Sequence, residues 1–510
     1  MLGAFTQETR LLQLTTPLGN NALLAECVHG EEGIGQGFRF SISTLSPDAN
    51  IALKSLIGQP ALLQLLTATS QQPRAFHGHI TGVEASGANG GLARYQLTVE
   101  PWSAFLAHGR DSRVFQDMTV FDILDTVFSA WHGKGRLAPA WRFDIVERAV
   151  YPKRSLTTQY QESDLAFAER LMNEEGLFHY FLHTGEPDSP ALGQHMMVIA
   201  DHNGSFQPGS QARIAFTQAS AVMKQDSLDR WRIEMRQQAG AVALSSWDYR
   251  VLSSRPVSST SIDGADDGNQ MTVREPLGAY AYETSAHGQR LADNMMQALA
   301  VRKEVHVAAG TVRTLAPGTR FTLHGHARHD AALDDDARTF IVLRTVHLMH
   351  NNLSADLKSA VSQRLAPGRL AAQIDAEQSH SLHAVGTGMG ERPLYRVRID
   401  AIRASVPYRA SRFDARGALL FPRPSVKGQQ SAIVVGPAGS VIHTDRDHRV
   451  KVQFHWQRGA NSHNRLEHSS PEGHTGAPAD DNAGTWVRVA TPMAPIAGAN
   501  WGSNALPRVG

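Results

Sequence analysis

Twenty-four histidines are the chemical excess of this sequence, and three groupings carry the residue types of a metal centre. His324, His326 and His329 stand beside Asp330 and the acidic run Asp334, Asp335 and Asp336, a mixture of nitrogen and oxygen donors that suits zinc or a harder cation. The same spacing fits a plainer structure, with His324 and His326 alternating at a strand end and the acids forming a solvated turn. His443, Asp445, Asp447 and His448 fall at a second turn, where Asp side chains bond the backbone two residues on, so capping accounts for them without a ligand. His463, His468 and His474 sit in a stretch of small and polar residues and carry less weight. Cys27 is the single cysteine and follows the apolar pair Leu23 and Leu24; it reads as a small buried hydrophobe. The expectation is a chain with no catalytic, cofactor-binding or metal-ligating residue and no cofactor.

Absent strings point the same way. There is no G-x-S-x-G nucleophile turn, no H-E-x-x-H zinc helix and no G-x-x-x-x-G-K-[ST] phosphate loop. One cysteine excludes a dithiol or multi-thiolate site. A pair of carboxylates that cleave glycans meets only in space and leaves no short signature, so a cell-wall hydrolase stays as a rival reading. Lys and Arg number 49 against 48 Asp and Glu, a formal charge of +1, and aromatic residues are not interleaved with basic ones as in a single-strand binder. Nucleic acid is not an expected partner.

The elements that would position these residues are mostly strands. The 510 residues are 42% hydrophobic and 19% charged, enough for packed cores in about three to five folding units. Tyr95, Leu97 and Val99 alternate with Gln96 and Thr98, and Val450, Val452, Phe454 and Trp456 alternate with Lys451, Gln453 and His455, the period of half-buried strands. Helical spacing is confined to three places. Val120, Ile123, Leu124, Val127, Phe128 and Trp131 follow the candidate cap Thr119. Leu165, Ala168, Leu171 and Met172 lie between Ser163 and the stop at Gly176. Leu291, Met295 and Leu299 recur over about 285–302. Leu177 to Phe181 read as a strand covered on both faces. The stretches 184–193, 253–269, 330–336 and 461–482 read as loops, and the proline-punctuated stretch 407–424 as an extended connection. No run of 18 apolar residues argues for a spanning helix, and the amino terminus lacks the basic and apolar regions of a cleavable signal. The chain is expected to be assembled in the cytoplasm, with any export routed otherwise.

The segment QYQESDLAFAERLMNEEGLFHYF (Gln159 to Phe181) closely resembles VgrG, the spike protein family of bacterial type VI secretion systems. VVGPAGSVIHTDRDHRVKVQFHW (Val434 to Trp456) is similar to that family's entry into its oligonucleotide/oligosaccharide-binding (OB) barrel. TWVRVATPMAPIAGANWGSNALPRVG (Thr485 to Gly510) resembles the stretch that closes it. FHGHITGVE (Phe76 to Glu84), YQLTVEPW (Tyr95 to Trp102) and PGTRFTLHGH (Pro317 to His326) resemble the family's hub strands.

This resemblance implies a mainly β fold with minor α. Residues 1–375 would form a phage-hub-like region of two look-alike β-barrels with helices near 119–131, 163–175 and 285–302. Residues 376–430 would be an extended connection, and 431–510 an OB-fold spike domain that stops before the family's β-helix needle. It implies a homotrimer seated on a hexameric Hcp tube, with baseplate proteins around it, and a PAAR-type tip protein and effectors held through a needle beyond Gly510. The product would be secreted or injected into target cells, with no integral membrane segment. The connection after Gln363 is too short for an inserted lysozyme-like domain, so no enzyme activity is expected. A tail hub of a phage or prophage-derived contractile device is the other structural reading.

Overall fold

The computed structural model describes residues 6–68, 72–217, 226–249, 251–261, 271–331, 334–380, 382, 393–414, 416–457, 481, 484–490, 503 and 505–510. The chain divides into two compact units. The first comprises Met1–Phe105, Trp131–Arg148 and Met172–Leu420; the second comprises Leu106–Ala130, Ala149–Leu171 and Phe421–Gly510.

Six strands open the first unit: β1 (Leu12–Thr15), β2 (Leu24–Gly33), β3 (Phe38–Ser46), β4 (Pro60–Leu65), β5 (Arg74–Asn89) and β6 (Leu92–Glu100). They pair in the order β1-β4-β5-β6-β3-β2. The alternation read in Tyr95, Leu97 and Val99 lies on β6, and all three are buried. The chain then passes through β7 (Arg110–Met118) and α1 (Val120–Ser129) of the second unit, β8 (Trp141–Asp144) of the first, and β9 (Arg154–Ser163) of the second. Next come α2 (Asp164–Glu175), β10 (Phe178–Gly185) and β11 (Gly193–Ala200). The helix predicted after Thr119 is α1: Thr119 and Asp122 close a capping box, and Val120, Ile123, Leu124, Val127 and Phe128 are buried. Ser163 accepts from the amide of Ala166 at the start of α2, and Gly176 ends it at φ +75. Phe178 to Phe181 are buried in succession, as expected for a strand covered on both sides.

The next strands repeat the first pattern. They are β12 (Gln207–Ala215), β13 (Leu228–Met235), β14 (Ala241–Asp248), β15 (Ser253–Thr260), β16 (Thr272–Ala279), β17 (Glu304–Gly310), β18 (Thr319–His324), β19 (Thr339–His350) and β20 (Tyr395–Arg403). Strands β14 to β16 form a small sheet covered by α3 (Ser285–Lys303), which buries Ala292, Met295 and Met296 against Val242 and Leu244. The other six pair as β12-β18-β19-β20-β17-β13. Numbered one to six in chain order, each set of six gives the same sequence of neighbours, 1-4-5-6-3-2. The one change of sense is in the first pair, antiparallel in β1·β4 and parallel in β12·β18. The two sets join through β2 and β19 into one sheet of twelve strands.

Two helices escaped the periodicity: α5 (Ala355–Arg364) and α6 (Arg369–His380), which follow the four-residue α4 (Ala327–Asp330). Each buries few apolar side chains, Leu357 from α5 and Leu370 and Ile374 from α6, so neither shows a wide apolar stripe. Strand β20 lies in the stretch read as an extended connection, yet it is interior, between β19 and β17.

In the second unit β7 and β9 form a two-stranded ribbon, and β21 (Ala432–Val435), β22 (Arg449–Phe454) and β23 (Thr485–Arg488) form a three-stranded sheet. Gln430 accepts from Trp456 Nε1 at 2.9 Å and donates to Tyr160 Oη at 3.0 Å, and the Tyr160 and Trp456 rings meet edge to face at 5.0 Å. Residues far apart in sequence are thereby bound together within this unit. Among the described residues no helix is long and apolar enough to cross a membrane.

Candidate functional site

The densest polar chemistry of the first unit lies where its two six-stranded sets meet. β2 and β19 pair from Arg344 opposite Gly33 to His350 opposite Cys27. Gly30 faces His347 across this junction and Phe40 on its other side; a Cβ there would stand 2.5 Å from the Phe40 ring, so glycine permits the close approach. Glu32 is the hub of the polar contacts. One of its carboxylate oxygens accepts from Arg74 Nη2 at 2.6 Å, His347 Nε2 at 2.9 Å and Thr345 Oγ1 at 3.3 Å, and His183 Nε2 lies 3.4 Å from the other. Burial alone would raise this carboxyl, but the Arg74 guanidinium and the histidine donors outweigh it and hold it well below the usual range. His347 Nδ1 accepts from the Tyr395 hydroxyl at 2.8 Å, which fixes its proton on Nε2. Burial lowers His347 to about 4, so the ring is neutral and the glutamate ionised.

A second chain of histidines runs beside it, with each proton fixed by the next partner. The amide of Trp102 donates to His195 Nε2 at 2.8 Å. A neutral His195 therefore carries its proton on Nδ1 and gives it to His77 Nδ1 at 2.8 Å. His77 in turn donates from Nε2 to the carbonyl of Ala191 at 2.8 Å. Burial lowers His77 and His79 to about 4 and His195 well below its ordinary value. Tyr–His–Glu and His–His relays resemble catalytic constellations in connectivity, but Glu32, His77, His195 and His347 are all buried. Their contacts staple segments together, and no short motif in the sequence reveals them because the partners come from segments far apart in the chain.

The residues singled out in the sequence separate. His326 and His329 have ring centroids 4.9 Å apart, and β17 adds His306 at 5.7 Å from His329, a neighbour the sequence did not suggest. Trp231 and Phe340 pack among these rings, and burial lowers His306 and His329 to about 4. Of the acids, Asp330 acts electrostatically on His326, while Asp334 accepts from the amide of Asp336 at 3.0 Å and Asp335 binds Arg338 at 2.9 Å. In the second unit Asp445 caps its turn through the amides of Asp447 and Arg449 at 2.9 and 3.0 Å. His443 bonds Asp481 at 2.8 Å. His463, His468 and His474 lie outside the described residues. Among the described residues no group of three or more histidine, cysteine or acidic side chains is arranged to hold a metal ion. Cys27 is buried and its thiol is pushed up by that burial, away from reactivity.

The two sets of strands share more than their order. In each, the second strand has one bulged residue, Glu26 between Ala25 and Cys27 and Asp229 between Leu228 and Arg230. Both are acidic, and each takes an arginine from the sixth strand in two bonds. Arg94 meets Glu26 at 2.9 and 2.9 Å; Arg396 meets Asp229 at 2.5 and 2.9 Å. The fifth strands carry matching bulges, at Thr81 between Ile80 and Gly82 and at Leu343 between Val342 and Arg344. Bulges re-aim a strand at fixed positions, and here they record a duplicated unit.

Comparison with known proteins agrees with this architecture. VgrG1b of Pseudomonas aeruginosa, a type VI secretion system spike protein, is 28% identical over 99% of this chain and 58% of its own length. VgrG5 of the same organism, also a type VI spike protein, is 30% identical over 94% of this chain and 52% of its own length. The chain thus spans little more than half of these relatives. Among solved structures, the E. coli c3393 protein, a type VI secretion component with structural similarity to the T4 tail proteins gp27 and gp5, superposes with a TM-score of 0.56 at 16% identity. That match covers 94% of this chain and 99% of the other. A chain of the half-lidded Francisella PdpA-VgrG complex gives 0.51 at 7% identity, covering 98% of this chain and 76% of the other. The model of the phage tail baseplate hub (GPD) family matches residues 31–353, more than half of the sequence, and the chain belongs to that family.

Proposed function

We propose that this protein is the structural hub and spike base of a type VI secretion system, a homotrimer that adapts a threefold spike to a hexameric Hcp tube. The duplicated six-stranded sets carry the reading. Two similar sets per chain and three chains give six similar positions, so a trimer can meet a sixfold ring without mismatch. In this reading each set closes as a hub barrel, the hub region reaches past residue 375 to include α6 and β20, and residues 431–510 form an OB-type barrel that continues the axis. Baseplate proteins, a PAAR-type tip and effectors are the further partners, and the spike leaves the cell when the tube is driven outward. The part transmits load and turns over no substrate: the buried histidine and carboxylate networks brace the sheet. The family's phage hub description also favours a second setting, the tail hub of a prophage-derived contractile device, which would use the same geometry.

The mass of the 510-residue chain in solution, measured by light scattering with and without hexameric tube, tests the proposal. A species near three times 55.6 kDa that co-sediments with the tube is expected. A species that ignores the tube overturns the adaptor role.

A further inference from the structure

Helix α6 lies over the junction of β2 and β19 and is held there lightly. It packs on β2, β3 and β19. Cys27 and His29 of β2 share a sheet face with Val346, Leu348 and His350 of β19, Leu348 standing opposite His29 and His350 opposite Cys27. The apolar contact is one small cluster, in which Leu370 and Ile374, with Ala371 beside them, cover Cys27, Val346 and Leu348. Among the described residues no backbone hydrogen bond joins α6 to that sheet. One side chain works against docking. Gln378 lies one turn beyond Ile374 on the same helix face and is 7% exposed. Among the described residues both polar atoms of its amide are buried without a partner, a penalty that leaving the sheet relieves.

Two pairs complete the contact, and each carries opposite charges only when its histidine is protonated. His29 Nε2 lies 3.3 Å from Glu377 Oε1, and His350 Nε2 lies 3.4 Å from Asp375 Oδ1. The other charged groups of the strands around α6 are paired elsewhere: Arg94 with Glu26, Arg344 with Glu31, and Arg39 with Glu100. Glu32 and His347 bond each other on the opposite face of the sheet, and Arg369 of α6 is exposed.

We propose that α6 is a pH-governed strap, held on the junction while His29 and His350 are protonated and lifting from it as they lose their protons, so that Cys27, Val346 and Leu348 are bared. The sign follows from which form bears charge. A protonated imidazole beside a carboxylate favours the docked helix; a neutral one leaves a small apolar cluster to hold a helix that also buries an unpaired amide. The strap is tightest in mild acid, where histidine is charged and the carboxylates are still ionised. This dependence runs opposite to that of the buried His77 and His347, whose protonation opposes the whole fold. Lifting breaks no strand pairing, so the sheet persists while its face over the junction is sealed in one pH range and open in the other.

Cys27, the single cysteine and buried beneath α6, reports the strap. The full chain is treated with a maleimide at about pH 6 and about pH 8, and each rate is divided by that of the urea-unfolded chain at the same pH, which removes the thiol's own titration. The corrected rate is expected to rise about fivefold to tenfold between the two, the worth of two partly exposed ion pairs, while amide hydrogen exchange shows β2 still protected. Asp375→Asn with Glu377→Gln is expected to bring the rate in acid up to the alkaline one and remove the dependence. Leu370→Ala, which weakens only the apolar contact, is expected to raise both rates by one factor and keep it. A Cys27 that labels at neither pH, a corrected rate in the unaltered chain that does not rise, or a β2 that loses protection together with α6 overturns the strap. So does a double variant that keeps the pH dependence.

Discussion

Histidine explains much of the residue-scale chemistry once its neighbours are known. Counted along the chain, histidines suggest ligands; seated between strands, they are neutral hydrogen-bonding wedges whose tautomers are set by Trp102, Tyr395 and Glu32. That neutrality has a pH consequence. His77, His79 and His347 are lowered from an ordinary 6.5 to about 4. Above 6.5 neither the folded nor the unfolded chain binds these protons. As pH falls from 6.5 toward 4 only the unfolded chain takes them up, so stability falls by up to about 1.4 kcal/mol per pH unit for each. His79 is the one to remove. Among the described residues its Nδ1 is buried without a partner, and its Nε2 reaches the Arg136 carbonyl at only 3.4 Å. In His79→Phe, unfolding free energy plotted against pH below 6.5 is expected to lose the slope of about one proton, with little change at alkaline pH. An unaltered slope would show that the folded protein accepts a proton at His79.

Among the elements, the bulged second strand and the sixth strand are pinned by one ion pair in each set. Arg396 and Asp229 are 1% and 6% exposed, so removing one partner strands a charge where water cannot reach it. Arg396→Leu is expected to cost about 3–5 kcal/mol in urea unfolding. Adding Asp229→Leu should recover more than half of that, because the cost lies in the orphaned carboxylate rather than in the lost attraction. A double variant as unstable as the single would place the cost in packing instead. The sequence announced neither pair. Glu26 and Arg94 are 68 residues apart and Asp229 and Arg396 are 167 apart, and a bulge leaves no periodic mark. The capped, striped helices α1 and α3 were legible because their signals are local, whereas α5 and α6 bury too few apolar side chains to show a stripe.

Across the molecule, the second unit draws Leu106–Ala130 and Ala149–Leu171 together with the last ninety residues, Phe421–Gly510. The Gln430, Tyr160 and Trp456 contact and the bond from Gln116 Nε2 to the Gly484 carbonyl hold β7 and β9 to the carboxy-terminal part. Deleting 421–510 is therefore expected to speed amide hydrogen exchange in β7 and β9 while β2, β3 and β6 keep their protection. Equal protection in both forms would mean that the ribbon stands alone.

The amino-acid sequence by itself determined the β-rich class, the three striped helices, the turn-capping role of Asp445 and the family resemblance, because all of these rest on spacing within a few residues or on continuous strings. Only the tertiary structure decided the duplicated strand order, the tautomers of the buried histidines and the interior place of β20. Each of those depends on which distant strands become neighbours, and strand pairing brings together backbone groups whose separation along the chain carries no local signature.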